Sequence, residues 1–376
     1  MGNKAGNSLV SDLRSELNKA AKENIAYDLH GDNPTDVKTW ISTGSTLLDY
    51  IISNRRDGGI PVGKLTTIAG ESASGKSLVV TQILANTQKM GGVAVYIDTE
   101  NAASPDFMEQ LGLDTKNNFM YVQPGTIEEV FETIERLIGL IRVKAPDRLV
   151  CIVWDSVAGT PVKAEIEGDY DPNSRIGLTA KALAKGMRKV TEALGKEQIA
   201  VVFTNQLKTN IPSGPNARIV AMTTPYMTPG GKAMHYSYSL RIWLTGRKAK
   251  SAFIEDDKGF RIGSEVKVKL EKSRFGTQGR NCAFRILWGT EDIGVRDEES
   301  WFDAVKSSEH LTSAGAWYTL KMPDGYEKKF QPSKWTELIH ADEEFKNNII
   351  KLMDEEVVQK FDRREGSAEQ FYADPE

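Results

Sequence analysis

The chain has 376 residues, 40% hydrophobic and 27% charged, with a formal net charge of −4. Such a composition gives a globular protein with a sizeable core, arranged as one large domain with additions or as two to three domains, and it excludes a uniformly basic nucleic-acid binder. No run reaches the ~18 apolar residues of a membrane span, residues 1–10 lack the charged-then-apolar pattern of a signal peptide, and Cys151 with Cys282 cannot alone make a four-ligand zinc site, so a cytoplasmic protein with reduced thiols and no membrane contact is expected.

The N-terminal segment reads as an arm. Residues 11–23 predict a helix capped by Ser11, with Leu13, Leu17 and Ala20/Ala21 as a narrow apolar stripe. Residues 24–29 alternate like a short strand, and His30 to Pro34 break it. This segment, residues 1–38, is separable from the main body of the chain and packs either on it or on a neighbouring subunit.

From about residue 39 strand-like and helix-like runs alternate. Strands are predicted at 64–69, 93–98, 149–154 and 199–204, with helices at 76–90, 105–111, 127–143 and 178–194. That alternation implies a mostly parallel sheet covered by helices on both faces. Runs at 240–244, 265–271 and 283–288 come next with less helix between them and predict an antiparallel extension. Near residue 297 the character changes to helices at 301–309, 335–338 and 342–360 around a hairpin-like stretch at 317–330. These mark a small α+β C-terminal domain, residues 297–376. Residues 341–376 hold 11 acidic and 5 basic side chains, a net of −6 against −4 for the whole chain. Such a tail is either a solvated terminus or a competitor for anionic ligands at basic sites.

Three elements carry chemistry. Gly70-x-x-x-x-Gly75-Lys76-Ser77, between a predicted strand and a predicted helix, is a phosphate-binding loop. Its backbone N–H groups, from Glu71, Ser72, Ala73 and Ser74 onward, face phosphates; Lys76 holds the β- and γ-phosphates, and Ser77 ligates Mg²⁺. Second, the apolar strand Val150-Cys151-Ile152-Val153-Trp154 delivers Asp155 to the same sheet edge, where a carboxylate orients the metal. Third, Glu100 comes just after the strand at 93–98. It is placed either as a general base for an attacking water or as an ordinary surface acid. Gln206, at the end of another strand, is a neutral amide able to report the γ-phosphate.

These stretches together resemble the RecA family of recombinases, closer to the bacterial pattern than to the eukaryotic ones, with a phage UvsX-type member as the alternative. The resemblance is carried by Ile41-Ser42-Thr43-Gly44-Ser45, by Gly59-Ile60-Pro61-Val62-Gly63, by Tyr96-Ile97-Asp98-Thr99-Glu100 and by Trp154-Asp155-Ser156-Val157-Ala158. Lys163 to Gly168 with Gly177-Leu178, then Asn205-Gln206 with Gly230-Gly231-Lys232-Ala233, bracket two DNA-binding loops. Ala314-Gly315-Ala316-Trp317-Tyr318 extends the likeness into the C-terminal part.

The resemblance implies a RecA-like ATPase core over residues 39–296, ATP and Mg²⁺ as ligands, and an ATP-dependent recombinase that forms filaments on single-stranded DNA and exchanges strands with duplex DNA. A loader or single-strand-binding protein would be a further partner. It makes Glu100 the water-activating glutamate and Gln206 the coupling glutamine. Phe107 stands where the family stacks a tyrosine on adenine, and Ser104 replaces an aspartate near the adenine amino group. Lys272 and Arg274 resemble a basic pair that reaches the neighbouring subunit's phosphates. Ile176 and Ile211 fall at positions that wedge between bases, while Lys181, Arg188 and Lys208 fall near backbone-contacting ones. The second loop, 208–229, is longer than the bacterial pattern and reads as unstructured without DNA. A ring helicase or a repair accessory ATPase of the same fold is the alternative, although no zinc module or second enzyme accompanies the core. A small-molecule kinase leaves the paired loops unexplained.

Overall fold

A computed structural model describes residues 3–22, 24–29, 31, 33, 36–168, 177–194, 197–211, 214, 217–223, 225–246, 252–289 and 293–359. At its centre lies a ten-stranded sheet. Six strands run parallel, in the spatial order Leu240–Gly246, Leu65–Gly70, Ile199–Gln206, Val150–Asp155, Val93–Asp98 and Phe119–Val122. Beyond Leu240–Gly246 the sheet turns antiparallel through Arg261–Ser273, Asn281–Leu287 and Gly294–Arg296, with Phe253–Glu255 on the flank. The expected α/β class and antiparallel extension are both present. The edge strand Phe119–Val122 is an addition; four residues with two exposed side chains carry too little alternation to announce themselves.

Strand alternation builds two apolar layers. Ile68, Tyr96, Val153, Val202 and Ile242 face the helices Thr46–Ser53 and Lys76–Lys89. Ile97, Ile152, Trp154, Val201 and Phe203 face the helices Ile127–Lys144 and Leu178–Leu194. In the second layer Trp154 and Phe203 meet edge-on at 4.8 Å, and Phe131 closes on Trp154 at 5.6 Å. Phe131 reaches them because Gly186 on the opposing helix leaves room: a Cβ there would sit 2.1 Å from the ring.

The first layer continues without a break into the C-terminal part. Trp301, Trp335, Phe345 and Leu352 belong to the same apolar cluster as Ile83 and Leu244. Here the helices Asp297–Val305, Trp335–Ala341 and Glu343–Val357 flank a three-stranded sheet, Leu311–Ala314, Trp317–Lys321 and Glu327–Phe330. The hairpin around Pro323-Asp324-Gly325 is as expected; the helix at 297 begins four residues earlier than its pattern implied. Asp297 explains this, because its carboxylate accepts from Thr46 N and Oγ1 and so fixes the helix start on the core. Residues 360–376, and with them the end of the acidic tail, lie outside the described residues.

The arm departs from expectation twice. Its helix spans Asn3–Ala21 instead of starting at Ser11. No proline interrupts residues 3–10, and a serine inside a helix costs only a few tenths of a kcal/mol, about 0.5. Residues 24–29 form no strand. Asn18 instead binds the segment: its Oδ1 accepts from Ile25 N and Ala26 N at 2.9 and 2.8 Å, and its Nδ2 donates to Ala26 O. A strand needs a second strand to bond, and within one subunit this segment meets none among the described residues. Leu9, Leu13, Leu17, Ile25 and Leu29 are all exposed.

The second loop is more ordered than its composition implied. Lys208–Thr209 pairs antiparallel with Tyr226–Met227, and a short helix, Ala217–Thr223, lies between them. Substituting Gly186 by alanine is expected to destabilise the chain by about 1–3 kcal/mol through the clash with Phe131; chemical denaturation of the variant against the wild type measures it.

Candidate active site

Because six strands are parallel, the loops at their carboxyl ends open on one crevice, where ligands of open α/β sheets bind. The phosphate loop leaves the strand Leu65–Gly70 and enters the helix Lys76–Lys89. Ala73 and Gly75 take positive φ, 57° and 87°, which curls the backbone around the crevice. Glycine is needed at both ends. A Cβ on Gly70 would lie 2.8 Å from Leu244 O, and one on Gly75 would lie 2.7 Å from Ile286 Cδ1.

The side chains around this loop converge as expected. Ser77 Oγ donates to Asp155 Oδ2 at 2.9 Å, Tyr96 OH to the same oxygen at 2.7 Å, and Thr204 Oγ1 to Asp155 Oδ1. Burial, then the Asp155 carboxylate, pushes the Tyr96 phenol far above its ordinary range, so it remains a donor. Lys76 Nζ bends back to Gly70 O and Glu71 O at 3.2 and 2.9 Å. Burial lowers its pKa, opposed by the nearby carboxylates of Asp155 and Glu100. An ammonium satisfied only by two carbonyls in a partly dry crevice is poised for an anion.

Glu100 accepts from Ser156 Oγ. Gly159 gives it space, for a Cβ there would stand 3.1 Å from Glu100 Oε1. Asp98 shapes the turn, accepting from Glu100 N at 3.0 Å, Ala103 N at 3.1 Å and Tyr121 OH at 2.8 Å. Gln206 is exposed at the strand end directly beside Gly70.

A cleft of about 520 Å³ runs from the loop, residues Ala73 to Leu78, to Phe107, Arg261, Ile286 and Trp288. Phe107 thus lines the far side of the cleft from the phosphate loop. Ser104 has a structural task, capping the helix Pro105–Gln110 by accepting from Phe107 N. Trp288 and Arg261, which sequence reading missed, complete the apolar end of the cleft. The Arg261 guanidinium lies 3.7 Å from the Phe253 ring and 5.3 Å from that of Trp288. Only the folding of the antiparallel extension over the phosphate loop brings them there, through residues more than 180 positions downstream.

Ser77 and Asp155 offer one hydroxyl and one carboxylate, and Ser74 Oγ is buried without a hydrogen-bond partner among the described residues. That donor set fits Mg²⁺, which takes one or two protein oxygens and completes its shell with water and phosphate.

Lys272 and Arg274 lie elsewhere. Lys272 is opposite Arg241 near the start of a strand whose Leu244 is opposite Gly70. Three residues of strand, about 10 Å, therefore separate the pair from the phosphate loop. Lys272 donates to His235 O and Tyr236 O at 2.8 and 3.0 Å, and Arg274 to Tyr236 O at 3.0 Å. Burial, then the neighbouring Arg274 and Arg241, holds the Lys272 ammonium down to about 8.

Of the other candidates, Lys181 and Arg188 are exposed on the helix Leu178–Leu194, seven residues apart and so on one face. Lys208 is exposed at the foot of the second loop, and Ile211 is 88% exposed. Ile219 and Met222, on the loop's short helix, are exposed as well; nothing in their spacing marked them out. Ile176 lies outside the described residues.

A family model described as the RecA N-terminal domain matches residues 10–293. The chain is 35% identical over 279 residues to Protein RecA of Clostridium novyi, covering 74% of this chain and 72% of the relative. It is 34% identical over 281 residues to Protein RecA of Symbiobacterium thermophilum, covering 74% and 73%. Against Protein RecA of Streptomyces avermitilis it is 30% identical over 318 residues, covering 85% and 76%. Replacing Phe107 or Trp288 by alanine is expected to weaken binding of an adenine nucleotide on the order of tenfold each, as lost base stacking; isothermal titration of the variants checks it.

Proposed function

The chain belongs to the RecA family, and from that premise we propose that its active site is completed between neighbouring subunits of a filament. It is an ATP-dependent DNA recombinase and a DNA-dependent ATPase.

In this reading the backbone of Gly70 to Ser77 and the Lys76 ammonium hold the triphosphate of ATP, with Phe107 and Trp288 against the base. Ser77 and Asp155 would hold Mg²⁺, which supplies charge neutralisation between the β- and γ-phosphates. Asp155 is kept in register by Tyr96 and Thr204. Glu100, oriented by Ser156, takes the proton from the attacking water. Gln206, beside Gly70 and at the foot of the second loop, passes the state of the γ-phosphate toward DNA.

One observation carries the intersubunit part. Glu100, Asp155 and Gln206 gather at one end of the sheet, while Lys272 and Arg274 lie at the other. A cationic pair so placed serves a phosphate of another subunit. The arm agrees with this. Its apolar side chains are exposed, and Phe119–Val122 is a sheet edge with no further strand among the described residues. An arm from a second copy would cover such an edge, and repetition of a contact that does not close gives a helical filament.

On the DNA side we assign Lys181, Arg188 and Lys208 to phosphates of single- or double-stranded DNA, and Ile211 to insertion between bases. Residues 1–38, 39–296 and 297–376 then act as polymerisation arm, motor and accessory part. A loader or single-strand-binding protein remains a proposed partner, and the cytoplasm the proposed compartment.

Lys76→Ala is expected to abolish ATP-dependent strand exchange. Glu100→Gln should still bind ATP while DNA-stimulated phosphate release falls about 10²-fold or more. Strand exchange by the Lys76 variant at the wild-type rate would overturn the reading. A second outcome concerns pH. Above about pH 8 the free subunit carries Lys272 neutral, so docking on a phosphate must take up a proton. Assembly should therefore weaken as pH rises past 8, by up to about tenfold per unit. Lys272→Arg, which stays charged, should remove that dependence; light scattering at fixed ionic strength tracks it.

A further inference from the structure

The foot of the second loop rests on an aromatic contact beside the phosphate loop. Trp243 lies beside Ala69, and Leu244 beside Gly70, in parallel register. Trp243, Ala69 and Leu207 form a small buried cluster apart from the two main layers, and Tyr226 closes it. The Tyr226 and Trp243 rings meet edge-on, 6.2 Å between centroids at 82°. The indole N–H of Trp243 is buried without a hydrogen-bond partner among the described residues; packing holds the ring, together with the Lys269 ammonium 5.7 Å from its centroid.

Both loops end on this cluster. Leu207 N donates to Gly70 O at 3.0 Å, which joins it to the first residue of the phosphate loop. Tyr226 pairs with Thr209 in the hairpin that closes the second loop. The returning limb is tied down separately: Asn205 Nδ2 donates to Pro229 O at 3.1 Å, and Arg241 Nη2 to Thr228 Oγ1 at 3.1 Å. With the limb fixed at 228–229, any change in the hairpin's angle to the sheet would have to shift Tyr226 across Trp243. A close-packed contact transmits a displacement of the strand end instead of absorbing it.

We propose that Tyr226 and Trp243 are positioning residues that couple occupancy of the nucleotide cleft to DNA binding by the second loop. The proposal rests on the recombinase reading and adds to it a packing route beside the polar one through Gln206. Coupling between two binding sites is reciprocal. The tightening of DNA binding by nucleotide therefore measures this contact without any catalytic step.

The test is anisotropy of a labelled single-stranded oligonucleotide, titrated with and without a non-hydrolysable ATP analogue. Wild type, Tyr226→Ala, Tyr226→Phe and Trp243→Ala are compared, with folding checked by circular dichroism. In the wild type the analogue tightens DNA binding. In Tyr226→Ala that tightening should shrink by about fivefold or more. Its DNA affinity without nucleotide, and its analogue affinity without DNA, should stay within about twofold of wild type. Tyr226→Phe should restore the coupling, since the ring supplies the contact. Tyr226→Ala lies at a half-buried loop position, so it decides the matter even if Trp243→Ala fails to fold. Undiminished tightening in Tyr226→Ala overturns the proposal, as does an equal loss of DNA affinity with and without the analogue. A wild-type chain whose DNA affinity ignores the analogue overturns the recombinase reading itself.

Discussion

Parallel pairing of the strands Leu65–Gly70 and Ile199–Gln206 sets Gly70 directly opposite Gln206. Everything else in the site depends on that register. With Val150–Asp155 next in the sheet, Thr204 reaches Asp155, and with Val93–Asp98 beyond it, Glu100 arrives over the same crevice. A slip of one residue would turn each of these side chains to the opposite face. The two apolar layers prevent that slip, because each strand buries alternate residues against different helices.

The crevice manages its charges by hydrogen bonding more than by ion pairing. Three hydroxyl donors occupy the carboxylate of Asp155, and backbone N–H groups with a phenol occupy that of Asp98. Among the described residues Lys76 is held by carbonyls and not by an acid at contact distance. Such an arrangement lets a polyanion enter without first breaking a salt bridge, whose rupture would leave a buried charge unpaired.

A single subunit is visibly incomplete. Its arm displays leucines and isoleucines to solvent, its sheet has an open edge among the described residues, and its basic pair, Lys272 with Arg274, lies away from its own phosphate loop. A helical assembly of copies would account for the three together.

The sequence by itself determined the phosphate loop, the acids at the strand ends and the order of strands and helices. These are local: a glycine turn needs its own residues, and a buried strand or amphipathic helix declares its period over a dozen positions. The family likeness then added expected roles for Phe107, Lys272 and Arg274. Other features were decided only by the tertiary structure. Arg261 and Trp288 join the nucleotide cleft because the antiparallel extension folds over the phosphate loop. Residues 24–29 have strand-like alternation yet form no strand, because hydrogen bonds to a partner make a strand and Asn18 captured the backbone first. Trp243 and Tyr226, seventeen residues apart and unmarked by any local pattern, meet through the pairing of Leu240–Gly246 with the phosphate-loop strand and of Tyr226 with Thr209. Local pattern fixes what a segment can become; which segments touch depends on sheet order and register, and those emerge only when every apolar face is buried at once.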